Sequence, residues 1–345
     1  MEEKKENKYE KYEDKCLVGL RNLGNSCFLN SCVSVLIHTY ELQDILIVKS
    51  SINKRAEDVK ILTEWNKLSD AMFRSPKKSI ISPVSFVMAV REVALKKNMD
   101  DFSKCIQNDI CEFLGFIINT LHDAISTKVK MNICGDIKTE QDKLGVLALN
   151  TIKNMYSKDY SKIIKTFYGV SISTLQTQHN ISQIGEPFFT LSMPIPTNAT
   201  TLFDCIDEYV KPEILDGDDC VLDEKTGEKV SGEKKVRFWS LPDILIIELK
   251  RSMWGGVGAK NIKHIDFPLD GANFSSYVDG YAGENSIYNL YGVCNHIGGV
   301  NGGHYTAYIK NANGCWYHCN DDSITEIDSD RIITACASCL FYRRV

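Results

Sequence analysis

Cys27 and His304 are the two residues whose types and settings point to chemistry. After Cys27 the apolar residues Phe28, Leu29, Val33, Leu36 and Ile37 recur at helical spacing, while Gly19, Asn22, Gly24 and Asn25 before it mark an irregular loop. The cysteine is therefore expected in the first turn of a helix. There, free N–H groups and the positive end of the helix dipole favour thiolate over thiol, which lowers the pKa and makes a nucleophile. Asn22 lies upstream on the same loop, where its carboxamide N–H can turn toward the carbon under attack and stabilise an oxyanion. The competing reading is a buried structural cysteine at a helix start.

A thiolate nucleophile needs a base, and the base needs an orienting group. Near the C-terminus the segment YNLYGVCNHIGGVNGGHYTAYIKNANGCWYHCNDDS places His304 where a glycine loop, residues 298–303, gives way to a strand. Residues 311–314, NANG, read as the turn of a hairpin whose second strand is CWYHCN. With all four residues in the turn, Tyr305 faces Asn320 and His304 faces Asp321; with Asn313 and Gly314 alone, the register moves by two residues. Either way Asn320 or Asp321 ends near the imidazole and fixes its tautomer. His38 and His122 fall in helical patterns, and His179, His264 and His318 lack glycine neighbours in a polar loop. His296, just before the glycines, is the rival base.

The elements that must carry these groups change character along the chain. From Cys27 to about residue 168 the apolar spacing is helical, as in Ile61, Leu62, Trp65 and Leu68, and in Phe86, Val87, Val90, Val93 and Ala94. A helix from Asn108 buries Ile110, Phe113, Leu114, Ile117, Ile118 and Leu121, and carries Asp109 and Glu112 in its acidic first turn. Beyond about residue 165 short β-like runs take over, DILIIELK at 243–250 being the strongest. It leads into a second glycine loop at 255–258, and residues 217–236 read as a polar hairpin tip. Residues 1–15 read as a charged, solvated, mobile tail.

The chain's 345 residues, 43% hydrophobic and with a net charge of −5, suit a large folded core and argue against a nucleic-acid surface. The charged start and the lack of a long apolar run predict neither signal peptide nor membrane span, and an intracellular location in cytoplasm or nucleus. Most of the 13 cysteines are then free thiols. Cys315, Cys319, Cys336 and Cys339 superficially resemble zinc-ribbon spacing, but β alternation makes them buried thiols instead.

Three stretches together resemble the ubiquitin-specific proteases: GLRNLGNSCFLN their cysteine box, QNDICEFLGFIINTLHD their glutamine box, and NLYGVCNHIGGVNGGHYTAYIK with WYHCNDDSIT their histidine box. The matches come in the family's order, with LPDILIIELKR and ASCLFYRR also similar, and span residues 16–345. The resemblance implies an α+β, papain-like cysteine protease: a helical thumb at about 16–165, β fingers at about 166–240 and a β-rich palm at about 241–345. It implies Cys27 as nucleophile, His304 as base, Asn320 as orienting residue, Asn22 as oxyanion donor and Asp321 as an assisting acid. Gln107, Asp109, Glu112, His296, Gly303 and Tyr305 are implied in binding the substrate's tail, the acidic pair meeting its arginines, and the two glycine loops cover that tail. The expected partner is ubiquitin, ubiquitinated protein or a ubiquitin-like modifier, the expected state a monomer without cofactor. Of the four finger cysteines that bind zinc in many members only Cys220 is present, so no structural zinc is expected.

Overall fold

Cys27 opens a helix because the residues before it cannot belong to one: Gly24 and Asn25 both take left-handed backbone, with φ of 89° and 52°. The computed structural model describes residues 8–47, 56–223, 226–251, 260–299 and 302–345. A short strand β1 (Gly19–Leu20) precedes helix α1 (Cys27–Ile37), every residue of which is buried. Its Asn, Ser, Cys and Val residues each cost a few tenths of a kcal/mol in helix propensity. Burying side chains such as Val33, Val35 and Leu36 returns roughly 1.5–3 kcal/mol apiece, so packing rather than propensity holds this helix.

Around α1 stand α2 (Tyr40–Ile47), α3 (Ala56–Arg74), β2 (Ile80–Ile81, parallel to β1), α4 (Val84–Lys96), the single turn α5 (Asp100–Ser103) and α6 (Ile110–Ile125). Trp65 and Phe86 meet edge to face, as do Phe28 and Phe113, which ties α1 to α6. Then follow α7 (Glu140–Tyr156), α8 (Lys162–Phe167), β3 (Gly169–Thr177), β4 (Ile181–Phe188), β5 (Thr190–Met193), α9 (Leu202–Val210), β6 (Glu213–Leu215), β7 (Val221–Leu222), β8 (Lys229–Val230) and β9 (Gly232–Ser240). The last stretch holds β10 (Ile244–Leu249), β11 (Ala272–Asn273), β12 (Ile287–Gly299), β13 (Gly302–Lys310), β14 (Trp316–Asn320), β15 (Ser323–Ile327) and β16 (Ala337–Arg344).

The strands form a large sheet in the order β15-β14-β13-β12-β16-β10-β5, with β11 on β12, and a smaller one in the order β4-β3-β9-β6. Helix α1 packs on one face of the large sheet, while Leu191, Met193, Leu202 and Ile206 join Phe274, Tyr288 and Tyr342 in a second core. The architecture is the expected mixture of helical and β-rich halves, but the expected borders shift. Strand β5 and α9, inside the stretch assigned to fingers, belong to the large sheet and its core, because β5 pairs in parallel with β10. Helix α7, assigned to the thumb, lies against the smaller sheet through Leu144, Leu147 and Ala148.

The tail expectation fails for residues 8–15. A 3-10 turn, Glu10–Tyr12, lays Tyr12 flat on Tyr40 at 4.3 Å between centroids, with Tyr12 only 4% exposed. The Tyr12 hydroxyl donates to Asp44 at 2.6 Å, and Arg343 from β16 sits over the rings of Tyr9, Tyr40 and Tyr291 while pairing with Glu41. Alternating charge along the segment masks two tyrosines at i and i+3, and these do the packing. Tyr12→Ala is expected to cost about 3 kcal/mol by loss of a buried ring, read from urea unfolding. A loss under about 1 kcal/mol would make the segment a passive appendage.

Candidate active site

Three chain segments converge where α1 begins. The first is the loop at 22–26, folded on itself: the Asn22 side-chain Oδ1 accepts from the backbone N–H of Gly24 and Ser26 and from the Ser26 hydroxyl. Ser26 occupies the N-cap position but makes no capping bond, its hydroxyl being taken by Asn22 and by the Leu23 N–H. The first N–H groups of α1 are therefore left for the Cys27 sulfur.

The second segment is the β13–β14 hairpin. Its register falls between the two expected ones: Lys310 pairs with Trp316 and Ala307 with Cys319. Asn311 and Cys315 close the turn, and Gly314 supplies the left-handed residue with φ of 86°. This puts Asn320 on the same face as His304, two residue pairs along. The His304 Nε2–H donates to the Asn320 carboxamide oxygen at 2.7 Å, which leaves Nδ1 as the base. Asp321 lies farther off, its Oδ2 3.9 Å from Nε2. The expected glycine loop is also shorter than its sequence suggests, since Gly298 pairs with Gly303 and Gly299 with Gly302. Residues 300–301, and the other expected glycine loop at 255–258, lie outside the described residues.

The third segment runs from Gln107 into α6. Gln107 was expected to contact substrate; here its Nε2 donates to the Gly303 carbonyl at 2.7 Å and its Oε1 accepts from the Gly303 N–H at 2.9 Å. With one bond at each end of its carboxamide, this side chain braces the strand next to His304. Asp109 is the N-cap of α6, accepting from the N–H groups of Cys111 and Glu112 at 2.8 and 3.0 Å. Gly303 is required at its position, because a Cβ there would lie 2.4 Å from both the His296 ring and the Ile297 carbonyl.

Sequence alone gives no sign of how Asp321 is held. Its Oδ2 accepts from Asn22 Nδ2 at 2.9 Å, its Oδ1 from the buried Asn30 Nδ2 at 2.8 Å, and its main-chain carbonyl from the Leu20 N–H at 2.7 Å. Asp321 itself is left-handed, with φ of 48°, in the two-residue turn between β14 and β15. That turn abuts Gly19, where any Cβ would come within 2.1 Å of the Asp322 carbonyl. The cysteine loop and the histidine hairpin are thus locked together at Asp321.

The expectation of a lowered Cys27 pKa is reversed. Burial pushes the thiol up, the backbone N–H of Tyr305 and those of Phe28 and Cys27 pull it partly back, and the Asp321 charge adds to the rise. The dipole and N–H groups read from sequence are present, but the cysteine is 3% exposed and desolvation wins. This direction favours the thiol, so a thiolate here calls for a base within reach. Alkylation of Cys27 by iodoacetamide is expected to rise with a midpoint above the free-cysteine value of about 8.5. Asp321→Asn, which removes a negative charge that favours the thiol, moves that midpoint to lower pH. Peptide mass mapping across pH tests both, and a midpoint below that of free cysteine contradicts them.

Beside the cysteine opens a cleft of about 690 Å³, lined among others by Asp109, Glu112, Glu248, His296 and Tyr305. Lys250, Arg251 and Lys260 line it as well, so its charges are mixed; Arg251 and Lys260 are held by backbone carbonyls, while Asp109 and Glu112 stand at the α6 end. Tyr305 stacks on His296 at 4.5 Å between centroids. Burial and the Lys260 charge hold the His296 pKa down, so this rival base stays a neutral wall of the cleft and faces away from Asn320. His38, buried at the end of α1, is pushed down to about 4. Among the described residues no group of three His, Cys, Asp or Glu is arranged to hold a metal.

Comparison with known proteins bears on the family and the fold. The family model described as ubiquitin carboxyl-terminal hydrolase matches residues 18–342. Human ubiquitin carboxyl-terminal hydrolase 2 is 30% identical over 343 residues, 94% of this chain and 55% of the relative. Ubiquitin carboxyl-terminal hydrolase Usp2 of Drosophila melanogaster is 31% identical over 352 residues, 97% of this chain and 35% of the relative. The chain thus spans about half the length, or less, of such relatives. In solved structures its fold matches the SAGA Ubp8/Sgf11/Sus1/Sgf73 DUB module bound to ubiquitin aldehyde, with a TM-score of 0.72 at 23% identity, covering 97% of this chain and 70% of that one. With the family model spanning nearly the whole sequence, the chain belongs to the ubiquitin carboxyl-terminal hydrolase family.

Proposed function

We propose that this chain is a deubiquitinating cysteine protease that hydrolyses the isopeptide or peptide bond after the C-terminal glycine of ubiquitin. The observation that carries the reading is the His304–Asn320 bond of 2.7 Å beside a cysteine whose thiol meets the N–H of Tyr305, the residue next to His304. His304 Nδ1 takes the Cys27 proton, and the thiolate attacks the carbonyl carbon of the terminal glycine. The oxyanion is held by the α1 N-terminal N–H groups and by Asn22, whose Nδ2 spends one hydrogen on Asp321 and keeps the other for the substrate. His304 then protonates the leaving lysine amine, and a water activated by the same imidazole hydrolyses the thioester. Asn320 holds the ring throughout.

Asp109 and Glu112 at the α6 end offer carboxylates to a basic tail, with His296, Gly303 and Tyr305 as walls and Gln107 as a brace for Gly303. The ubiquitin-bound Ubp8 structures and the family's name support ubiquitin as partner. Among the described residues no helix is long and apolar enough to cross a membrane. Hydrolysis of a fluorogenic amide at the ubiquitin C-terminus, run beside the same amide on ubiquitin-like modifiers, tests the assignment. Turnover of ubiquitin amide supports it; turnover of a ubiquitin-like amide alone reassigns the substrate, and none with either refutes the activity.

A further inference from the structure

Asn30 lies on α1 one turn beyond Cys27, 2% exposed, and touches neither the thiol nor the imidazole by any hydrogen bond. Its carboxamide nitrogen spends both hydrogens on acceptors: the Leu20 carbonyl at 3.1 Å and Asp321 Oδ1 at 2.8 Å. Because both neighbours can only accept, the amide orientation is fixed by chemistry. Its side-chain oxygen, Oδ1, is buried without a partner. A residue retained purely for packing would not carry an orphaned acceptor, since an apolar side chain of the same shape would avoid that cost.

The other half of the carboxylate leads to the reaction. Asp321 Oδ2 accepts from Asn22 Nδ2 at 2.9 Å, and Asn22 has its own oxygen fixed by Gly24 and Ser26. Asn22 is thus aimed by the carboxylate, and the carboxylate is aimed by Asn30 and by the left-handed turn that carries it. We propose that Asn30 is a positioning residue for the oxyanion donor, acting on Asn22 through the Asp321 carboxylate. Without Asn30 the carboxylate loses one of its two side-chain partners, rotates in its turn, and Asn22 no longer presents its second N–H to the developing charge. The inference rests on the oxyanion role of Asn22 given above.

A double-mutant cycle separates this from a structural role, with kcat and KM measured on ubiquitin bearing a C-terminal fluorogenic amide. Asn30→Ala is expected to lower kcat about 10-fold at unchanged KM, the order expected for losing one charge-assisted hydrogen bond. In the Asn22→Ala background the same substitution is expected to change kcat less than 2-fold, because the group it aims is already gone. Should Asn30→Ala fail to fold, Asn30→Leu keeps the volume, removes the orphaned acceptor and is read in the same cycle. Multiplying effects of the two substitutions, or full kcat in the Asn30 variant, overturn the inference while leaving the oxyanion role of Asn22 standing. Full kcat in Asn22→Ala overturns that role, and the inference with it.

Discussion

Cys27→Ala is expected to abolish turnover of ubiquitin C-terminal amides, by on the order of 10⁶-fold, while ubiquitin itself still binds. The size follows from the lack of a substitute. Cys32 is fully buried on α1 with its thiol pushed well above the ordinary range by desolvation, and Cys111 is raised likewise, first by its hydrogen bond with Cys339 and then by desolvation. Neither can supply a thiolate at neutral pH. Binding survives because the cleft walls at Asp109, Glu112, His296 and Tyr305 do not depend on the sulfur. Calorimetry with free ubiquitin, alongside the amide assay, checks both halves. Residual turnover above about 10⁻³ of the parent would mean that another group attacks.

Asn22→Ala is expected to slow kcat by about 100-fold, the equivalent of about 3 kcal/mol for one oxyanion donor, at nearly unchanged KM. The alanine also removes the oxygen that gathers Gly24 and Ser26, so some of the loss could come from a looser loop. Asn22→Asp separates the two effects. It keeps the accepting oxygen but replaces the donor with a second carboxylate facing Asp321. If donation matters, the aspartate is at least as slow as the alanine; if only the loop matters, it recovers most of the rate.

Local sequence made the framework of the candidate site legible. The loop-to-helix change at Cys27 and the hairpin bearing His304 and Asn320 both rest on spacing within a few residues, and α1, β13 and β14 form where that spacing puts them. The register was missed by one residue either way. Asn311 and Cys315 bond across the turn, and Gly314 takes the left-handed conformation, an arrangement between the four-residue and two-residue loops that composition suggests. What sequence could not give was long-range. Gln107 meets Gly303, and Asn30 meets Asp321, across separations of 196 and 291 residues, so no local pattern marks either pair. The thiol pKa fails for the same reason: the dipole is a property of α1, but burial comes from β13 folding over it. Tyr12 shows that charge counting can hide a packing residue, since one buried ring outweighs the solvated lysines around it.

The pairing of Cys27 with His304 is tested most directly by ubiquitin carrying a C-terminal propargyl group, followed by mass mapping of the adduct. The expected result is one ubiquitin per chain, attached to Cys27, none in Cys27→Ala, and labelling at least 100-fold slower in His304→Ala near neutral pH, because the buried thiol then has no base. Labelling at a different cysteine, or labelling of Cys27 at an undiminished rate without His304, would contradict it.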